Sequence, residues 1–432
     1  MLRNIFVASI IAFGFASSLW GPFNAMLFYL WIAYFRPDGW LHTNWVTSLN
    51  LSFVVGTLTL LLSLVRFDDL RPRLNLGVLL LICAFAHTLL SATYSIDPDR
   101  SWAWWVEFSK VLVIGLLITM LVNTERRMRL ALLVIVLSLG FEAVKQGWAQ
   151  LVLNPGAANQ NPHVVLGDNN GVALGMFMLA PLAGALVSTS TGLERRFHQF
   201  FMGGIIIRGL TTYSRGGLLA ALVVALHATA RSRHRLRMLL GIAMISGALL
   251  AVMPQSFWDR MGTITASEDE RDASAEGRLY FWWLALEMAR DHPFTGVGFN
   301  AFPEAYNLYD RSEGAYGYGR AVHSTWFGML AENGYPGLLL LLGLIVYSFV
   351  TAGRMIRETN AGPEFHRVNA MARALQGSLV AFVVGGSFLN GQYSELLWHL
   401  FCLTIALDGV LRRETARSAP PLREPAGVPV MA

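Results

Sequence analysis

The chain has 432 residues, 54% of them hydrophobic and only 14% charged, with a net charge of +5 and a mean hydropathy of +0.47. Soluble domains carry closer to about a quarter charged residues, so this composition excludes an ordinary soluble enzyme. The basic balance does not point to nucleic acid, because the arginines fall in short connections between apolar runs, the positive-inside pattern of membrane proteins.

Apolar runs lie near 5–20, 22–35, 46–65, 74–92, 103–122, 128–150, 170–190, 197–213, 215–231, 236–253, 334–352, 371–390 and 394–411. Most approach the roughly 17–20 residues that cross a bilayer as a helix. Helix is the expected form, because lipid offers backbone groups no partners. The first run, IFVASIIAFGFASSLW, has no small-residue cleavage site after it and reads as a membrane element rather than a signal peptide. Gly21-Pro22 interrupts it, since proline breaks helical hydrogen bonding.

Arginine content assigns sides. RFDDLRPR (66–73), NTERRMR (123–129), LERRF (193–197), RSRHRLR (231–237), the ends of 353–373 and LRRETAR (411–417) alternate as cytoplasmic, and RPDGWLHTNW and YSIDPDRSW then face outward. With Arg3 inside, residues 5–35 cross once as a broken element, giving twelve spans; an external N-terminus gives thirteen.

The chain therefore divides into N-terminal spans (1–253), one large outward loop (254–333), C-terminal spans (334–411) and a disordered tail (412–432). Within the loop, RLYFWWLALEMAR (278–290) predicts a helix lying at the outer membrane boundary. Cys83 and Cys402 sit apart in apolar runs, so neither a disulfide framework nor a cysteine metal cluster is expected. The acidic run SEDERD (267–272) reads as a solvated face rather than a metal site. No cofactor is expected.

The residues that could carry chemistry gather outward. His323, in AVHSTWFGMLAENGYPG, titrates near neutral pH and could move a proton; a ring held by a loop carbonyl is the plainer alternative. Glu332, nine residues on, could brace the ENGYPG turn. Arg215 stands in TTYSRGG (211–217), where two glycines permit close approach of a ligand. Arg208 lies inside an apolar run, where a charge costs about 2.5–3.5 kcal/mol on insertion scales and is normally paired or lines a polar cavity. Arg278 opens the boundary helix, and a guanidinium there can grip phosphate oxygens in pairs.

Asp168, Asn169 and Asn170, in NPHVVLGDNNG, either cap a helix or bind sugar hydroxyls. Tyr213 and Trp326 are candidates for contacts with a glycan, and Trp282, Trp283, Tyr306, Tyr316 and Tyr318 add aromatic surface. One histidine and several arginines at the membrane boundary suit proton transfer beside a membrane-embedded polyphosphate.

TTYSRGG, GRLYFWWLALEMARDHPFTGVGFNAF and VHSTWFGMLAENGYPG together resemble the O-antigen ligase family over about residues 160–350; WIAYFRPDGW resembles its exosortase-associated members. The resemblance implies an all-α polytopic membrane protein of the GT-C-like kind, in the bacterial inner membrane, with short helices in one periplasmic loop. It implies a metal-independent, inverting glycosyltransferase that moves a glycan from undecaprenyl pyrophosphate to a sugar hydroxyl of lipid A–core, with His323 as base and Arg215 and Arg278 on the pyrophosphate. Arg208 joins them on the intramembrane-charge argument alone.

The partners expected are the lipid-linked glycan, lipid A–core and membrane lipids. An O-antigen polymerase or a protein O-oligosaccharyltransferase would share the donor chemistry. A transporter would instead spread its charges along a path through the bilayer.

Overall fold

The structure is a computed structural model that describes residues 2–40, 49–232, 234–252, 258, 273–360 and 362–418. Its regular elements among the described residues are helices, apart from one isolated bridge between His163 and Gly167. In chain order the helices are α1 Leu2–Ser18, α2 Pro22–Phe35, α3 Pro37–Trp40, α4 Leu51–Val65, α5 Leu76–Thr93, α6 Pro98–Leu121, α7 Glu125–Leu153 and α8 Asn169–Ser188. They continue with α9 Gly192–Leu210, α10 Arg215–Ala230, α11 Arg235–Val252, α12 Ala273–Asp291, α13 Phe302–Tyr309, α14 Thr325–Glu358, α15 His366–Gly385 and α16 Glu395–Ser418.

Starts are marked by side chains that take up the orphan amides of a first turn. Asn75 caps α5, Asp97 precedes Pro98 in α6, Thr124 caps α7, Asp168 caps α8 and Ser214 caps α10. The expected apolar runs, where described, fall on helices. The acidic run 267–272 and the tail beyond Ser418 lie outside the described residues; residues 412–418, expected in a disordered tail, continue α16.

Among the described residues, five segments are long and apolar enough to cross a membrane: Leu76–Thr93, Pro98–Leu121, Asn169–Ser188, Thr325–Glu358 and Pro363–Phe388. Large apolar side chains such as Phe53, Leu61, Leu79, Leu222, Leu339 and Val346 remain exposed along the helices. That surface suits lipid rather than water. The chain is a multi-pass membrane protein.

The expected single crossing by residues 5–35 is corrected. Phe15 meets Phe28 edge-on at 5.2 Å, Phe6 and Phe35 both pack on Phe141, and Arg3 lies over the Trp40 ring at 5.8 Å. In one continuous helix Phe6 and Phe35 would stand roughly 43 Å apart. α1 and α2 instead form an antiparallel hairpin that turns at Gly21-Pro22.

The Arg-rich connections collect at one end of the bundle. Arg66 donates to Trp20 O (2.6 Å), Arg413 to Asn123 O (3.1 Å) and Arg373 to Arg231 O (3.3 Å). Arg367 pairs with Glu125 (3.0 Å) and Arg129 with Glu194.

α14 decides the shape of the other end. Its 34 residues would span about 51 Å, far more than a hydrocarbon core of about 30 Å. It is broken at Gly334, which takes φ 65°, with Pro336 starting the second arm. The expected ENGYPG turn is thus a kink between two helical arms. A kink frees carbonyls that lipid cannot satisfy, and each has a partner. Val297 N donates to Ala331 O (2.8 Å), Ser91 Oγ to Glu332 O (2.7 Å) and His87 Nε2 to Asn333 O (2.7 Å).

Buried Glu332 accepts from Phe302 N (3.2 Å) and from Gln392 Nε2 (3.0 Å), so its carboxyl clamps residues 297–302 to 389–395. Over the first arm, α12 and α13 form a cap with its own core, including Phe281, Leu284, Met288, Phe302, Tyr306 and Val322. The Arg100–Glu304 ion pair (2.6 Å) ties the cap to the start of α6.

A Cβ at residue 334 would lie 2.5 Å from Pro293 O on a backbone that side chains rarely adopt. Gly334→Ala should lower the thermal midpoint of the detergent-solubilised protein, at a cost of about 1–3 kcal/mol. Ser91→Ala should cost a similar amount by orphaning Glu332 O, about 1–3 kcal/mol. Unchanged melting of both variants would show that the kink is not held as described.

Candidate active site

At the end away from the Arg-rich connections, three helices begin side by side. α8 starts after Asp168, α10 after Ser214 and α14 after Ser324. The two serines are each preceded by a residue in left-handed conformation, Tyr213 (φ 53°) and His323 (φ 53°). Non-glycine residues there store strain, a feature that clusters at functional sites.

Ser214 Oγ donates to Asn170 Oδ1 (2.7 Å), joining the DNNG and TTYSRGG motifs. Gly217 allows this approach, since a Cβ there would collide with Ala173. α14 is held alongside. Thr325 Oγ1 donates to Leu389 O (3.1 Å) and accepts from Gly391 N (3.0 Å), and Trp326 Nε1 donates to Ser387 Oγ (2.8 Å). The ring of Phe388 in turn borders Gly216.

α12 fixes the other side. Trp282 stacks on Phe327 (5.1 Å, 12°) and its Nε1 donates to the carbonyl of Val322 (3.1 Å), the residue before His323. Arg278 lies one turn earlier on the same face as Trp282. Burial lowers the pKa of half-buried His323 below the ordinary 6.5, and the charges of Arg278 and Arg320 lower it further, against the opposing carboxylate of Asp168. The imidazole is therefore neutral at pH 7 and able to accept a proton.

The structure brings His323, Arg278 and Asp168 into one electrostatic neighbourhood. Arg215 is the first residue of α10 and follows Ser214, whose hydroxyl bonds Asn170, two residues from Asp168. Arg320 belongs to the same group and was missed in the sequence, although it stands three residues before His323.

Other candidates are placed differently. Arg208 is buried (1% exposed) and donates to Asn159 O (3.1 Å) and Asn161 O (2.6 Å). Tyr213 donates its hydroxyl to Gly156 O (2.6 Å), and Asn159 N donates to Thr211 O (2.8 Å). These bonds pin the 154–167 loop, so Arg208 holds the segment that leads into Asp168 rather than facing a phosphate.

Asp168 accepts from Asn170 N (3.1 Å) and Gly171 N (3.0 Å) as a helix cap, and Asn169 is the first residue of α8. Trp326 spends its Nε1 on Ser387 and sets its ring edge-on to Phe382. No cluster of three His, Cys, Asp or Glu residues suited to a metal occurs among the described residues.

A cavity of about 440 Å³ lies not at His323 but beside it, lined by Gly171 of α8 and by residues 389–396. The candidate cations and the histidine are not among its lining residues. The difference between site and cavity is physical: His323 and the helix starts form a rim, and the cavity is an adjoining chamber.

Arg208→Ala removes the donor from the carbonyls of buried Asn159 and of Asn161. Amide exchange in residues 154–167 should rise about tenfold or more in this variant, following a loss of roughly 1–3 kcal/mol, while Arg215→Ala leaves it unchanged. Equal protection in Arg208→Ala and wild type would contradict the anchoring role.

Residues 200–342 match the family model described as "O-Antigen ligase" (Wzy_C), and residues 1–190 match DUF5935, a family of unknown function. The chain is also similar to the "Exopolysaccharide production protein ExoQ" of Rhizobium meliloti (strain 1021), with 29% identity over 131 residues. That match covers 29% of this chain and only 27% of the relative. Residues 200–342 carry TTYSRGG, α12 and His323, so the segment similar to the O-antigen ligase family model is the one that builds much of the rim.

Proposed function

We propose that the protein transfers a glycan from undecaprenyl pyrophosphate to a sugar hydroxyl of lipid A–core on the periplasmic side of the bacterial inner membrane. The observation that carries this reading is a neutral His323 set among Arg278, Arg320 and Asp168 where α8, α10 and α14 begin. The family match over residues 200–342 supports a polysaccharide ligase or polymerase type of chemistry. With residues 5–35 folded as a hairpin, thirteen crossings with an external N-terminus fit the loop charges better than twelve.

In the proposed reaction a nitrogen of His323 takes the proton of the acceptor hydroxyl. The oxygen attacks the anomeric carbon, and the bond from that carbon to the pyrophosphate oxygen breaks. The leaving pyrophosphate carries away the electron pair. Arg215 and Arg278 stabilise its growing charge, an effect that often dominates catalysis, and three helix starts add partial positive charge. A single displacement inverts the anomeric centre. The donor carries its own activation and the scheme requires no metal.

A second reading, polymerisation onto another lipid-linked glycan, is favoured by the likeness to a protein named for exopolysaccharide production. It leaves the roles of His323 and the arginines unchanged, and the length of the glycan product separates the two. A protein acceptor is a third form of the same donor chemistry.

Asparagine tolerates left-handed backbone, so His323→Asn should fold and bind donor, yet lose about 10²–10⁴-fold in transfer. Wild-type-like turnover of this variant would remove the base from the scheme. Arg215→Ala should weaken donor binding and turnover together, with a loss of about 10²–10³-fold in rate.

The pH profile carries a sign. Activity falls as His323 protonates, so the acid limb of kcat/KM, which reports the free enzyme, should lie below pH 6.5. Arg278→Ala removes a charge that disfavours the imidazolium and should move the limb to higher pH. Asp168→Asn should move it to lower pH. Shifts in the opposite directions would contradict the assignment.

A further inference from the structure

The chamber beside the rim has a chemistry that the donor site does not use. Its walls come mostly from the N-terminal part, including Tyr29–Arg36 and Trp104–Val111, and are completed by Phe299, Asn300 and residues 389–396 before and at the start of α16. It touches the rim at two points. Gly171, on its wall, donates to Asp168 Oδ1, and Gly391, also on its wall, donates to Thr325 Oγ1, two residues from His323. At about 440 Å³ it falls within the roughly 300–1,000 Å³ range of small-ligand sites.

The polar groups on its walls specify a ligand. Glu395 Oε2 and Gln392 Oε1 are buried with no hydrogen-bond partner among the described residues, because Gln392 spends its amide nitrogen on Glu332. Gln392 Oε1 accepts only, so what completes it donates, while the unpartnered Glu395 carboxyl can accept or donate. Glu395 keeps some accessible surface and lines the chamber.

Arg36 and Lys110 supply donors on the same walls, with Lys110 paired to Glu107 at 2.7 Å. Trp104 and Phe108 supply flat apolar faces. A sugar ring meets all of these demands, since each hydroxyl both donates and accepts while the ring's C–H face lies against an aromatic surface.

Resting on the transfer reaction proposed above, we infer that this chamber is the acceptor subsite and holds a sugar ring of a glycan acceptor, with its nucleophilic hydroxyl presented toward His323. The N-terminal part, which matches a family of unknown function over residues 1–190, thereby gains a role: it selects the acceptor, while residues 200–342 hold the donor. A sugar rather than a peptide is favoured because the unmet groups are two side chains of one short stretch on a small chamber and not a row of backbone partners along a groove.

The test uses the full-length protein in lipid nanodiscs and, as probe, the delipidated core oligosaccharide of lipopolysaccharide, with binding followed by calorimetry. Wild type should bind it. Glu395→Gln and Asn390→Trp, the latter placing bulk at an exposed position of the wall, should each raise Kd about tenfold or more, as expected for loss of a carboxyl hydrogen bond or of space. In transfer assays with undecaprenyl-pyrophosphate-linked glycan, both should raise KM for lipid A–core and leave the donor KM unchanged. His323→Asn should bind the oligosaccharide normally and not transfer.

The inference is overturned if wild type does not bind the probe, as when a protein is the true acceptor, or if both wall variants bind it normally. If instead His323→Asn still transfers while Glu395→Gln loses probe binding, the base scheme falls and the chamber assignment stands.

Discussion

Inside a lipid-facing bundle a freed backbone carbonyl or amide has no water to turn to, so the chain can break its helices only where the protein itself supplies partners. The kink at Gly334 meets this condition through Val297, Ser91 and His87, and through Glu332, whose two oxygens join the cap to the turn before α16. The breaks before α8, α10 and α14 meet it through Asp168, Ser214 and the Thr325–Gly391 bond. These interruptions share one end of the molecule. Their convergence provides a rim of amide groups, a strained histidine and a chamber, all at the end opposite the arginine-rich connections.

The same arrangement explains the state of His323. Burial and the two nearby guanidinium groups keep the ring neutral, and they would do so wherever a positive site for an anion was built beside it. In the proposed complex the pyrophosphate cancels part of that positive field, which makes the imidazole a stronger base when donor is present. A base that strengthens only beside its donor suits a transferase that should not activate acceptor hydroxyls in vain. The Arg208 guanidinium serves this design from a distance, by fixing the loop that delivers Asp168.

Much of this was legible in the sequence, and the exceptions have physical causes. Hydropathy located the helices because membrane crossing imposes length and apolarity together. That His323 and Arg278 share one neighbourhood agrees with the expectation that titratable and cationic groups gather at the outward end of an apolar chain. The α1–α2 hairpin was not legible: Pro22 announces a break but carries no information on the angle after it, which Phe28 and Phe141 settle by packing.

For Arg208 the need for partners was legible. The identity of the partners was not, since they are backbone carbonyls 47 and 49 residues away. The chamber was readable in principle. Lys110, Glu107 and Glu395 sit in or at the edge of apolar runs, and the argument applied to Arg208 applies equally to them.

The central claim is that a lipid pyrophosphate docks at the rim where these helices begin. A photoreactive undecaprenyl pyrophosphate, with its crosslinking group next to the phosphates, tests it most directly in the purified full-length protein. The account predicts adducts within residues 168–171, 213–217, 278–282 and 320–326, competed by unlabelled undecaprenyl pyrophosphate. Competable adducts confined instead to the arginine-rich connections at the opposite end, or labelling indifferent to competitor, would contradict it.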